Sequence, residues 1–216
     1  MALETISTEP GLEHRITDAA LRLIARYGLS KLTLDDVARE AGCSRATLYR
    51  YYPGKQAVLG AVVAAEIARL RSGLDDALAD VRSLEEALAA AAGFGAREFA
   101  GHAALQFLLA HEPGSVLPHL CFAGADRLLA VMSEAVAPHL GRFLPTLSAR
   151  RAGEWLARIV LSYGCTSPAH LGLVGNTPGP GAAGGEAAVL QVVHDFVAPA
   201  VSPKEKALSP AEETSA

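Results

Sequence analysis

TLDDVAREAGCSRATLYRYYPGK, residues 33–55, reads as two short helices separated by a tight turn. Thr33 is placed to cap the first helix, with Asp36 three residues on to complete a capping box. Asp35 and Asp36 also suit the positive end of a helix. Leu34, Val37, Ala38 and Ala41 recur at helical spacing and form one apolar stripe. Gly42 suits the left-handed conformation that ends a helix. Ser44 then caps a second helix, Arg45 to Tyr52, which Pro53-Gly54 stops. Leu48 is the apolar anchor that pins the second helix to the first.

Helix, glycine turn, helix is the helix-turn-helix arrangement, whose second helix enters the major groove of DNA. The composition of that helix supports the reading. Arg45 to Lys55 holds no acidic residue, and its polar side chains are Arg, Thr, Tyr and Lys. Arg pairs bidentately with guanine edges, while Thr, Tyr and Lys hold phosphates. A solvated, mildly basic surface helix would share the Arg and Tyr content, but not the caps and the glycine turn around it.

Residues 12–60 resemble the DNA-binding domain of the TetR family of bacterial transcription regulators. The matching words are ITDAALRLIARYG, residues 16–28, and LTLDDVAREAGCSRATLYRYYPGKQAVL, residues 32–59. Where that family usually has Phe-x-Ser/Asn-Lys after the recognition helix, this chain has Tyr52-Pro53-Gly54-Lys55. Tyr keeps the packed ring, and Gly54 replaces the polar cap of the next helix. The resemblance implies that Arg45, Ala46 and Arg50 fall at base-reading positions. It places Thr47, Tyr49, Tyr51 and Lys55 mostly at phosphates, with Tyr51 also within reach of a base. The caps Thr33 and Ser44 complete the expected DNA-binding set.

The formal charge of −4 argues at first against nucleic acid, and its distribution reverses that. Residues 11–72 hold ten Lys and Arg against six Asp and Glu; residues 73–216 hold nine against fifteen. A basic head on an acidic body attracts phosphate on one side only. Half of the chain is hydrophobic, Ala and Leu are the commonest residues, and β-branched runs are scarce, which predicts an all-α fold. No apolar run reaches about 18 residues, so no membrane span is expected. The start, MALETISTEP, lacks a basic region followed by an apolar run, so a cytoplasmic location is expected. Cys43, Cys121 and Cys165 are widely spaced and form no metal-like cluster. They read as reduced, buried thiols, with a redox switch as the sharper alternative.

Residues 1–10 are expected to form a disordered arm, 11–56 the helix-turn-helix domain, about 55–71 a connecting helix, 72–200 a larger helical effector-binding and dimerisation domain, and 201–216 a disordered tail. In the head, Ile16, Ala19, Ala20, Leu23 and Ile24 make one face of a helix from Leu12 to about Gly28. Ser83, with Glu86, caps a helix to about Ala100, in which Gly93, Gly95 and Gly101 are costly. Helices then follow over His102 to His111, Ser115 to Leu140 (interrupted near its end by Pro138), Ser148 to Gly164 and Glu186 to Val197. The Gly- and Pro-rich stretch 167–185 reads as a mobile loop.

By the resemblance, the centre of the second domain holds an effector. Phe94, Phe99, His102, Gln106, Phe107, Phe122 and Met132 are the candidates for an apolar pocket, and ordinary core packing is the alternative for each. Trp155, Ile159, Tyr163, Val189, Val193 and Phe196 are the candidates for a homodimer interface, with packing inside one subunit as the alternative. No Gly-x-Ser-x-Gly elbow, phosphate loop, His-Glu-x-x-His pair or cofactor fingerprint appears, so neither catalysis nor a cofactor is expected. The expected function is a dimeric regulator, most often a repressor in this family, released from a palindromic operator by an apolar or amphipathic small molecule. An effector-independent dimer and a helical small-molecule-sequestering protein are the alternatives.

Overall fold

Ile16, Ala19, Ala20, Leu23 and Ile24 line the buried face of the first helix, α1 (Leu12–Tyr27). The computed structural model describes residues 11–121, 124–165 and 183–201, and among these the secondary structure is entirely helical. The expectations placed on Phe122, on residues 1–10, on 166–182 and on 202–216 lie outside the described residues. After α1 come α2 (Leu34–Glu40), α3 (Arg45–Tyr51) and α4 (Lys55–Ala77). The buried face of α1 meets Leu32, Val37, Ala38, Ala41, Leu48, Val58 and Val62 in one core.

A second core is built from the far end of α4, from α5 (Leu84–Gly101), α8 (Ala125–Leu140), α9 (Thr146–Cys165) and α10 (Ala183–Val192), and from a π-turn at Val193–Val197 that leads into α11 (Ala198–Val201). Leu78, Leu88, Leu140, Val189 and Val193 are its largest fully buried side chains. α4 belongs to both cores, with Val58 and Val62 in the first and Leu74 in the second. That second anchorage carries α4 past the Arg71 expected from the sequence. At 23 residues, it spans about 35 Å.

α6 (Ala103–His111) follows α5 in the chain but sends its buried stripe, Ala104 and Leu108, into the first core, against α1. The single helix expected over Ser115 to Leu140 is two: α7 (Pro113–Leu120) and α8. Cys121 is extended, with φ −129° and ψ 169°, and ends α7. Gly124, just before α8, lies so close to Pro118 that a Cβ there would sit 1.8 Å from the Pro118 carbonyl oxygen. The break therefore depends on a glycine at the crossing. Pro138 does not end α8, which carries it in its last turn and continues to Leu140. In α5, Gly95 faces Val160 of α9, where a Cβ would meet the valine methyls at 3.3 Å, so this glycine serves close helix packing.

Candidate nucleic-acid interface

The presentation of α3 begins with its caps. Thr33 Oγ1 accepts the Asp36 amide and donates its own hydrogen to the Asp36 carboxylate at 2.5 Å. Ser44 Oγ accepts the Thr47 amide at 3.0 Å. Between them Gly42 has φ +68°, the left-handed turn expected from the sequence. Leu48 is fully buried and fixes α3 against the rest of the head. The side chains on the other side of α3, Arg45, Ala46, Tyr49, Arg50 and Tyr51, are exposed. Tyr49 and Tyr51 keep 45% and 41% of their surface open. The Arg50 guanidinium lies 5.8 Å from the centre of the Tyr51 ring.

Two of the expected DNA-binding side chains are engaged within the chain. Arg45 Nε pairs with Asp35 Oδ1 at 2.6 Å, across the turn between α2 and α3. Lys55 is half-buried, and its Nζ donates to the Leu29 carbonyl at 2.6 Å. Its charge faces inward, toward the loop between α1 and α2, and this is a different use from the phosphate grip expected of it. Tyr52 packs against the head core, and burial pushes its phenol up, with Glu13 adding to the effect. It stays a neutral packed ring.

Among the described residues the pocket candidates are found in more than one setting. His102 is the N-cap of α6: its Nδ1 accepts the Leu105 amide at 3.1 Å, and the resulting tautomer directs Nε2–H at Glu66 Oε2, 3.2 Å away. Gln106 Nε2 donates to the Phe99 carbonyl at 2.7 Å. Phe107 stacks on His111 and approaches Gly28 in the head. The physical reason is the direction of α6, whose buried face meets α1, so these three side chains furnish the joint between the two cores. Phe94 abuts Gly73 of α4, where a Cβ would meet its ring at 2.8 Å, and Phe99 covers Gly164 of α9 in the same way. Met132 is half-buried on α8.

The dimer candidates divide. Val189 and Val193 are buried in the second core of their own chain, so they have no surface left for a second copy, which corrects the expectation for both. Apolar spacing showed that they were buried, not by what. Ile159 and Tyr163 are partly buried against the same core. Trp155 and Phe196 remain 50% and 68% exposed. Leu147, at the start of α9, is exposed as well and was not singled out from the sequence.

The residue that sequence reasoning missed is Glu112, between α6 and α7. Its carboxylate accepts from the Leu29 amide at 3.0 Å, from the Ser30 amide at 3.2 Å and from Ser30 Oγ at 2.6 Å. The Ser30 hydroxyl and the two amides hold this carboxyl below the ordinary carboxylate value, and Lys55 adds to the effect. The signal was inaccessible, because the partners are more than eighty positions apart. The three cysteines are free and half-buried, and burial pushes the Cys165 thiol up, with Cys121 contributing. Among the described residues no group of His, Cys, Asp and Glu is arranged to hold a metal ion, and no helix is long and apolar enough to cross a membrane.

Comparison with known proteins agrees with this geometry. Residues 16–62 match the family model described as bacterial regulatory proteins, tetR family. An uncharacterised HTH-type transcriptional regulator of Mycobacterium tuberculosis is 33% identical over 151 residues, covering 68% of this chain and 72% of the relative. Among solved structures, the TetR family repressor AlkX from Dietzia sp., implicated in biodegradation of n-alkanes, superposes with a TM-score of 0.60 at 22% identity, over 88% of this chain and 94% of that one. FadR from Bacillus subtilis, solved in complex with stearoyl-CoA, does so with a TM-score of 0.52 at 15% identity, over 83% and 96%. At these identities the two structures speak for the fold.

Proposed function

The chain belongs to the TetR family of bacterial regulatory proteins and is a DNA-binding transcription regulator, and from that premise we propose that it is a homodimeric repressor that leaves a palindromic operator when an apolar small molecule binds. The observation that carries the DNA half is α3. It is a capped helix pinned by the buried Leu48, with Arg45, Tyr49, Arg50 and Tyr51 exposed and no acidic side chain on it. Two such heads related by a two-fold axis read the same word twice. Trp155 and Phe196, exposed late in the chain, support association of two copies through α9 and the π-turn.

The effector half rests on the class of molecule bound by a relative in fold. Stearoyl-CoA is named for the Bacillus subtilis FadR structure, and long acyl compounds are the first class to test here. A ligand acts by binding one of two head spacings better than the other. By linkage, DNA weakens its binding by the same factor. One observation favours an effector-independent dimer instead: His102, Gln106 and Phe107 are occupied in packing and hydrogen bonds at the joint.

The deciding experiment selects duplexes from a randomised library with the purified chain, footprints the winners, and repeats the binding with acyl-CoAs and free fatty acids added. An inverted repeat released by acyl compounds supports the full reading. An inverted repeat indifferent to every compound in the panel supports the effector-independent dimer.

A further inference from the structure

Three separate stretches of chain meet at the joint of the head. The first is the loop Gly28–Ser30 between α1 and α2. The second is Lys55, at the start of α4, four residues after the end of α3. The third is Glu112, between α6 and α7. Lys55 Nζ holds the Leu29 carbonyl at 2.6 Å, and Glu112 holds the Leu29 and Ser30 amides and the Ser30 hydroxyl. Both polar faces of one short loop are therefore gripped, one from the head and one from the joint.

We propose that Glu112 is a positioning residue for operator binding, the carboxylate by which the second domain sets where the head stands. It rests on the reading of the chain as a two-headed operator binder.

Several observations converge on this role. Two consecutive loop amides and a hydroxyl share one carboxylate, and hydrogen bonds to an ionised acceptor are the strong ones. The loop is shaped to receive it. Gly28 has φ +82°, and a Cβ there would lie 2.2 Å from Glu112 Oε1 and 3.1 Å from the Phe107 ring. The positive φ favours glycine at this position, and a Cβ there would push the Glu112 carboxylate off the loop. The carboxylate projects from the junction that ends α6, the helix whose Ala104 and Leu108 are buried against α1. An apolar contact alone permits sliding, whereas three directed hydrogen bonds fix one register. Any shift of the α6–α7 junction must carry the loop with it or break them. Lys55 makes the hold relevant to reading, because it joins the same loop to the segment that immediately follows α3.

The test uses the full-length chain and three variants, Glu112→Ala, Glu112→Gln and Ser30→Ala. Ser30 is exposed, so its truncation removes one hydrogen bond without threatening the fold. Three things are measured: affinity for an inverted-repeat duplex selected by the wild-type chain, affinity for a duplex with one half-site, and amide exchange at Leu29 and Ser30. Glu112→Ala is expected to speed exchange at both amides and to lower affinity for the inverted repeat about tenfold, because the heads lose their preset spacing. Affinity for the single half-site should change by less than about twofold, since one head needs no partner spacing. Glu112→Gln and Ser30→Ala should show the same pattern, more weakly.

Equal losses on both duplexes would mean general loosening of the head and would overturn the proposal. So would unchanged affinity for the inverted repeat despite faster exchange, or exchange unaffected by removing the carboxylate. A wild-type chain that selects no duplex would overturn the operator reading and the positioning role together. The exchange data would still report, separately, whether the loop is held.

Discussion

Arg45 Nε and Asp35 Oδ1 are 2.6 Å apart, an ion pair between the first residue of α3 and the first turn of α2. The residue expected to read a base is thus already held by a carboxylate of the same motif. Both side chains are largely exposed, so the pair itself adds little to stability. Its effect falls on DNA binding, where Asp35 competes with the DNA for the guanidinium. Asp35→Asn should therefore raise affinity for random duplex and steepen its salt dependence by about one unit of slope. Arg45→Ala should instead cost about 1–3 kcal/mol at one base position of the selected site. Titrations of both variants against salt check this, and an unchanged slope for Asp35→Asn would contradict it.

Stability and reading should separate within the head. Ser44 Oγ caps α3 by accepting the Thr47 amide, and its loss in Ser44→Ala should cost about 1 kcal/mol. Leu48 is fully buried, and Leu48→Ala should cost about 2–5 kcal/mol. Tyr49 is exposed, so Tyr49→Ala should leave the unfolding midpoint almost unmoved and weaken DNA binding. Chemical denaturation of the three variants tests the order. Comparable destabilisation by Tyr49→Ala would mean that its ring packs within the chain.

Phe196 is 68% exposed on the π-turn, and Trp155 is half exposed on α9. Phe196→Arg should shift the chain from dimer to monomer and reduce affinity for an inverted repeat far more than for a half-site. Val193→Arg, by contrast, should unfold the second core, because Val193 is buried within its own chain. Sedimentation velocity separates these outcomes. A monomeric wild type at micromolar concentration would remove the interface reading.

The hold on the Leu29–Ser30 loop has a defined pH window. The Glu112 carboxyl is lowered from 4.5, first by the Ser30 hydroxyl and then by the loop amides, with Lys55 adding to them. A depressed acid contributes fully above its unfolded-state value and loses that contribution as pH falls through its folded value. The Ser30 amide resonance should therefore be constant above about pH 5 and should move only in more acid solution. A transition near neutrality would mean that another group controls the loop.

The local grammar of the head was legible, and the joint was not. Thr33, Gly42 and Ser44 act through neighbours two or three positions away, so spacing alone revealed their roles. Val189 and Val193 show the limit of periodicity, which marks a buried face without saying whose surface covers it. Two breaks in expectation arise from packing, one local and one distant. The end of α7 depends on Gly124 passing the Pro118 carbonyl, and the extension of α4 depends on Leu74 reaching a core built mostly from later helices. Glu112 and Ser30 lie at opposite ends of such a distance. A lone glutamate before a proline looks like solvent-facing punctuation until the loop it holds is placed beside it.

The contact between Gly73 and the Phe94 ring has a consequence in mechanical advantage. Gly73 meets the flat ring without a side chain of its own and can serve as a bearing beside the buried Leu74, near the far end of α4. From there to Lys55 is eighteen residues along the helix, an arm of about 27 Å. A tilt of only about 5° at the bearing sweeps the head end through roughly 2 Å along that arm. Hydrogen bonds to base edges tolerate only about 0.5 Å of stretch. A small angular change at Gly73 is therefore enough, at the recognition helix, to exceed the stretch that a hydrogen bond to a base edge tolerates.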